Sequence, residues 1–246
     1  MLLVMMSATV LAMPYDPTFA AYDAVLRANV GSGGVNYAGI GPTGLDAALA
    51  DIAQANLSKA GNDEKKAFYI NAYNALTLDL VAEAWPVASI RDIEGGRVWS
   101  ARSFVVAGET LTLDAIENQK LRPMGDPRIH AALNCASKGC PPLRNRAFTM
   151  VDLEPQLDDA CRAWARGSGM RWEGNTLQLT SIFDWYGDDF LALYGKESYD
   201  VPGLSGKQEA AVNFLATYAD PTSAVKLRAG NFKTVWMVYD WSVNGR

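Results

Sequence analysis

Between residues 62 and 85 the chain is apolar on nearly every helical face, and the run AFYINAYNALTLDLVAEA leaves no continuous polar stripe. A helix of that kind is expected inside a protein rather than on its surface. Asn62 or Asp63 can cap its start, and Pro86 ends it. Upstream, residues 17–30 read as a short amphipathic helix stopped by Gly31-Ser32-Gly33-Gly34, and residues 44–60 as a second one closed by Gly61. Downstream, residues 103–106 and 110–113 flank Ala107-Gly108-Glu109 and predict a hairpin. Residues 113–121 suit a short helix before Pro123, and residues 151–165 an amphipathic one. A second hairpin is expected around Gly174-Asn175. Residues 181–194 and 207–218 read as helices. Alternation over residues 234–241 predicts a closing strand with Val235, Met237, Tyr239 and Trp241 on one side. This order predicts an α+β single domain, with a buried central helix packed on a mainly antiparallel sheet.

Composition narrows the function classes. The chain has 246 residues, 49% of them apolar, and a net charge of −5. It can bury a sizeable core, and it lacks the basic face typical of nucleic-acid binders. One His excludes zinc sites built on several imidazoles, and three Cys are too few for a disulfide scaffold. No metal or cofactor is expected. The start, MLLVMMSATVLAM, is too short to span a bilayer but fits the apolar centre of an export signal. It reads equally as a buried N-terminal segment, since no Lys or Arg precedes Arg27. The single domain is therefore expected over residues 14–246. An export signal would make the protein periplasmic or otherwise exported, where thiols meet oxidising conditions. No other stretch approaches the roughly 18 apolar residues of a membrane span.

Three places hold candidate chemistry. Asn71 and Asn74 share one face of the buried helix. A buried amide left unpaired costs about 1–3 kcal/mol, so both need partners: backbone nearby, or an internal polar pocket. The second place is DPRIHAALNCASKGCPPL, residues 126–143, with the lone His and two Cys. As a strand it would put Cys135 and His130 on opposite faces; as a helix it would set them about 140° apart. A direct His130–Cys135 pair then needs a bulge or a strand end, whereas Cys140 follows Gly139, where the loop can fold back. Cys135 and Cys140 can join only if their Cα atoms come within about 7 Å. So small a ring stabilises by roughly 2 kcal/mol. Three readings stay open: inert or disulfide-bonded cysteines, a nucleophilic thiol, or redox chemistry. The third place is SIFDWYGDDF, residues 181–190. Asp184 and Asp188 repel at spacing four on one helix, which calls for a cation or an Arg between them, and Asp189 adds a third carboxylate. Trp185, Tyr186 and Phe190 are expected in the core, and Glu117 with Arg122 as an ion pair.

FYINAYNALTL, LDAIEN followed by Leu121-Arg122, DPRIHAALNCASKGCPPL and SIFDWYGDDF occur in an order that resembles the bacterial "domain of unknown function 547" family, over about residues 62–190. The resemblance implies positions rather than a reaction: Asn71, Tyr73, Asn74, Glu117, Arg122, His130, Asn134, Cys135, Cys140, Asp184 and Asp189. Ala131 stands where many relatives carry a larger aromatic, which widens the space beside His130. A more distant analogy is to papain-like and transglutaminase-like folds, although here the buried helix carries Asn where those carry the nucleophile. The leading expectation is an exported cysteine-dependent hydrolase or acyltransferase acting on an amide-type bond of a small-molecule or peptide-like substrate. Cys135, favoured by the resemblance, or Cys140, favoured by alternation, would attack, with His130 as base and then acid. Asn71, Asn74 or Asn134 would orient the imidazole or hold the oxyanion, with Glu117 as a third partner. The rival expectations are a non-catalytic ligand- or peptide-binding protein with a Cys135–Cys140 disulfide, and a thiol–disulfide exchange protein.

Overall fold

Two helices, α1 (Ala20–Asn29) and α2 (Asp46–Gln54), lead into α3 (Asn62–Ala84), in which every residue from Lys66 to Ala82 is buried. The computed structural model describes residues 15–195, 204 and 206–246, so the expected signal at residues 1–13 lies outside the described residues. The all-round apolar pattern of α3 is satisfied by neighbours on several sides. These include α2, the helical turn Tyr37–Ile40, the 3₁₀ segment Ile90–Gly96 and a π-helical stretch, Ile116–Leu121. No side chain caps its start; Asp63 and Glu64 in the first turn complement the helix dipole instead. Among the described residues no helix is long and apolar enough to cross a membrane.

The strands form small sheets beside this helical core. Strands β1 (Phe104–Val106) and β2 (Glu109–Leu111) make the expected hairpin, turned at Ala107-Gly108 with both residues at positive φ. Beyond it a single helical turn, α4 (Ile129–Ala132), carries the histidine. Helix α5 (Leu153–Arg166) precedes the second hairpin, β3 (Met170–Glu173) and β4 (Thr176–Leu179). Helices α6 (Ile182–Trp185), α7 (Gly187–Tyr194), α8 (Lys207–Tyr218) and α9 (Pro221–Ala229) follow. Trp164, Phe183, Phe190 and Phe214, from α5, α6, α7 and α8, form a fully buried aromatic cluster with neighbouring centroids 4.7–5.1 Å apart. Such contacts add about 0.5–1.5 kcal/mol per pair to area burial. Helix α9 escaped the pattern reading, although its start is well marked. Asp220 accepts from the N–H groups of Thr222 and Ser223, and Pro221 fills the first helical position.

The closing strand is shorter than expected. Strand β5 (Lys233–Trp236) pairs parallel to β4, and residues 237–246 continue as an extended strip. The strip finds its partners in loops: Lys138 N–H donates to Ser242 O (2.8 Å), Gly139 N–H to Asp240 O (2.9 Å), and Asn244 N–H to Ala136 O (3.0 Å). Met237 N–H still donates to Leu179 O of β4, and beyond it the backbone of the strip is shared among the cysteine loop, Ala88 and Val35.

Asp79, on α3, gives the fold a pH dependence. Burial, helped by Glu83, pushes its carboxyl up to about 6. A carboxyl that holds its proton more tightly folded than unfolded favours folding at low pH. That stability is fully present below about pH 4 and is lost as the pH rises through about 6. Asp79→Asn is expected to raise stability at about pH 7.5 by about 1–2 kcal/mol, solvent screening discounted, and to change it little at about pH 4. Urea melts at both pH values check this; an equal shift at both would assign the effect to something other than the carboxyl charge.

Candidate active site

The histidine is positioned from two sides. Just before α4, Asp126 accepts from Lys66 Nζ on α3 (2.8 Å) and from Arg128, which also reaches Glu154 and Asp158 on α5. This ion network ties the start of the His-bearing turn to both long helices. His130 itself is 3% exposed. Its Nε2 lies 2.8 Å from Asp189 Oδ2. Arg122 grips the same carboxylate in a two-pronged pair, Nε to Oδ2 at 2.7 Å and Nη2 to Oδ1 at 2.9 Å. Burial works against the Asp189 charge, but hydrogen bonds from His130 and Arg122 outweigh it and hold the carboxyl well below the usual range. An ionised Asp189 can only accept, so Nε2 carries a proton, and in the neutral tautomer of the ring the lone pair is on Nδ1. Nδ1 stands 4.0 Å from Glu117 Oε1. For Glu117, burial pushes the carboxyl up, and His130, Tyr186 and Arg122 offset only part of that rise. Tyr186 packs on the imidazole with ring centroids 4.4 Å apart.

Residues 126–143 form neither a strand nor one continuous helix. The turn α4 ends at Ala132, Leu133 is extended, and Ala136 lies in the left-handed region at φ 59°. That reversal falls at Ala136 rather than at Gly139. Asn134 braces it, accepting from Ala136 N–H (3.0 Å) and donating to Pro141 O (2.8 Å). The chain thereby returns Cys140 to within 6.1 Å, Cα to Cα, of Cys135, and the two are joined by a disulfide. Gly139 serves another purpose. The ring of Tyr239 lies over it, and a Cβ there would stand 2.9 Å from ring carbons. Because the chain bends between them, His130 and both cysteines line one cavity, and the angular objection to their meeting does not apply.

The cavity measures about 350 Å³. Its walls are Tyr73, Trp99, Trp185, Tyr186, Tyr239 and Trp241, with Arg97, Asp114, Glu117, His130 and the disulfide among them. Trp185 is 47% exposed and stacks on Trp241, so neither it nor Tyr186 belongs to the core as expected, whereas Phe190 does. Arg122 pairs with Asp189 in place of the expected Glu117. Asp184 and Asp188 fall on separate helices, α6 and α7, and both are exposed, so the predicted cation or Arg between them has no role. The three carboxamides stand behind the cavity rather than in its lining. Asn71 pairs with both backbone groups of Phe148, and Asn74 spans Ala132 O and Asn134 N–H. The orienting role expected of an Asn belongs to Asp189. The reading from sequence missed Arg97, Trp99, Asp114 and Ser137. It placed Tyr239 and Trp241 on one side of a strand without linking them to the site; that alternation was the available signal.

Fold and site together define an α+β domain with an aromatic-walled cavity, an Asp–His pair and a disulfide. Residues 57–164 match the family described as "Protein of unknown function, DUF547". The matched segment holds α3, the first hairpin, Glu117, Arg122, His130 and both cysteines of the cavity; Asp189 and the C-terminal strip lie beyond it. No curated protein and no solved structure matches the chain.

Proposed function

We propose that the protein is a cysteine-dependent hydrolase or acyltransferase for an amide-type bond, active when the Cys135–Cys140 bond is open. The observation that carries this reading is the Asp189–His130 pair, which selects the neutral tautomer with its lone pair on Nδ1, in a ring that shares a cavity with both sulfurs. A thiol formed there gives its proton to Nδ1 and attacks the substrate carbonyl carbon. The imidazolium, stabilised by Asp189, then protonates the leaving amine. Water or an acceptor nucleophile next attacks the thioester with His130 again as base, which releases the acyl product and restores the thiol. Buried Glu117, 4.0 Å from Nδ1 and on the cavity wall, is the third polar partner of the site. The small aromatic-walled cavity suits a small molecule or a peptide end. A closed disulfide fits an oxidising compartment, which supports reading residues 1–13 as an export signal and the protein as periplasmic.

The closed disulfide also favours a second reading, a non-catalytic ligand- or peptide-binding protein whose sulfurs stay oxidised. Release of chromophore from a panel of anilide and thioester substrates, with and without reductant, separates the two. Turnover is expected only with reductant, and it should vanish in His130→Ala and in the Cys135→Ser/Cys140→Ser double variant. Turnover that survives the double variant would remove sulfur from the mechanism. Absence of turnover in both redox states, together with ligand-dependent tryptophan fluorescence, would favour the binding protein.

A further inference from the structure

We propose that the Cys135–Cys140 bond is an exchange site for small thiols, with Cys135 the sulfur attacked and Cys140 the sulfur released. The assignment is carried by a backbone donor that Cys140 alone receives, since the Tyr239 hydroxyl stands 3.1 Å from both sulfurs, and by the greater exposure of Cys135. The N–H of Cys135 lies 2.9 Å from Cys140 Sγ, the Tyr239 hydroxyl 3.1 Å, and the Ser137 hydroxyl 3.5 Å. With its single proton donated to Tyr239 Oη (3.1 Å), Ser137 frees the tyrosine proton for a sulfur and is itself a neighbour of Cys140 rather than a donor to it. The strip supplying Tyr239 is itself fastened to the loop through Gly139 N–H and Asp240 O. Hydrogen bonds to a thiolate favour it over the thiol, and a more stable thiolate is the better leaving group. Cys135 Sγ has only the two shared hydroxyls, at 3.1 and 3.2 Å, among its described neighbours, and no N–H of its own. Access points the same way: Cys135 is half-buried on the cavity wall, whereas Cys140 is 6% exposed.

The exchange balances without any further oxidant. A small thiolate bonds to Cys135 Sγ as the old S–S bond breaks, and the electron pair leaves on Cys140. A second small thiolate attacks the outer sulfur of the mixed disulfide and releases the small-molecule disulfide. Cys135 is left as a thiolate that takes up a proton. The protein gains two electrons and the two small thiols are oxidised. This chemistry stands whether or not the cavity hydrolyses an acyl bond. Where the proposed hydrolase reading holds, the Cys140 thiolate is the nucleophile that exchange delivers.

Glutathione is the probe. Oxidised wild-type protein is treated with millimolar glutathione under native conditions, acid-quenched and mapped by peptide mass, with the adduct expected on Cys135. Cys140→Ser should hold a stable Cys135 adduct. In Cys135→Ser, the pH dependence of alkylation by iodoacetamide should show Cys140 at least tenfold richer in thiolate at about pH 7 than free cysteine, whose pKa is about 8.5. Adding Tyr239→Phe to that variant should lower the thiolate fraction about tenfold. An adduct on Cys140, a Cys140 thiol that titrates like free cysteine, or a disulfide that glutathione does not open would each overturn the proposal. Should Cys135→Ser fail to fold, the wild-type adduct map decides alone. None of these readouts uses an acyl substrate, so their failure is distinct from failure of the hydrolase reading.

Discussion

On the proposed hydrolase mechanism, Asp189→Asn is expected to lower kcat of the reduced protein about 10²–10⁴-fold with little change in KM. The carboxylate can only accept, and it fixes the proton of His130 on Nε2. An amide can turn its NH₂ toward Nε2, which moves the ring proton to Nδ1 and removes the base. Even with the ring in the right tautomer, a neutral amide stabilises the imidazolium less than a carboxylate does. Arg122 would also lose its two-pronged partner, and part of the site would relax. KM should hold because Asp189 is not among the residues that line the cavity. Stability should respond to pH as well. The Asp189 carboxyl is held below its usual range, so it contributes stability that is present above about pH 4 and fades as the pH falls from there. The Asn variant should therefore lose stability at neutral pH and show a flatter acid limb. Steady-state kinetics and acid melts measure both; a kcat close to wild type would take His130 out of the role of base.

Much of the fold was legible because its signals are local. The all-round apolar run places α3 inside, and Gly108 and Gly174 mark both hairpins. Rare residues were legible for another reason: one His and two Cys within eleven residues draw notice in any chain. What stayed hidden is pairing across distance. Nothing in the spacing of His130 and Asp189 says that they meet, and the nearer carboxylate, Glu117, was an equally natural partner. The break between α6 and α7 at Tyr186 turned an apparent Asp184–Asp188 face into two exposed side chains. The bend at Ala136 was illegible because alanine carries no signal for the left-handed region, which costs it roughly 1–2 kcal/mol. A C-terminal strip read as a strand divides its hydrogen bonds among β4, the cysteine loop some hundred residues earlier, Ala88 and Val35, and two of the cavity walls come with it.

Asn74→Ala is expected to destabilise the protein by about 2–5 kcal/mol and to weaken the site in the molecules that stay folded. The amide is 2% exposed and makes two bonds, Nδ2 to Ala132 O (2.9 Å) and Oδ1 from Asn134 N–H (2.8 Å). Truncation leaves two buried backbone groups unpaired, each costing about 1–3 kcal/mol, and opens a small cavity in α3. For a chain of this size that is about 5–15 °C in Tm. Asn71→Ala removes a matching pair of bonds, to Phe148, and should cost a similar amount. The two variants should part company at the site. Asn74 clamps the end of the His-bearing turn to the start of the cysteine loop, whereas Asn71 fixes a segment outside the cavity lining. At a temperature where both variants are folded, Asn74→Ala should therefore lose activity and alter the rate at which glutathione opens the disulfide, and Asn71→Ala should change neither. Equal effects of the two on thiol exchange would mean that the clamp at Asn74 stabilises the fold without setting the position of the sulfurs.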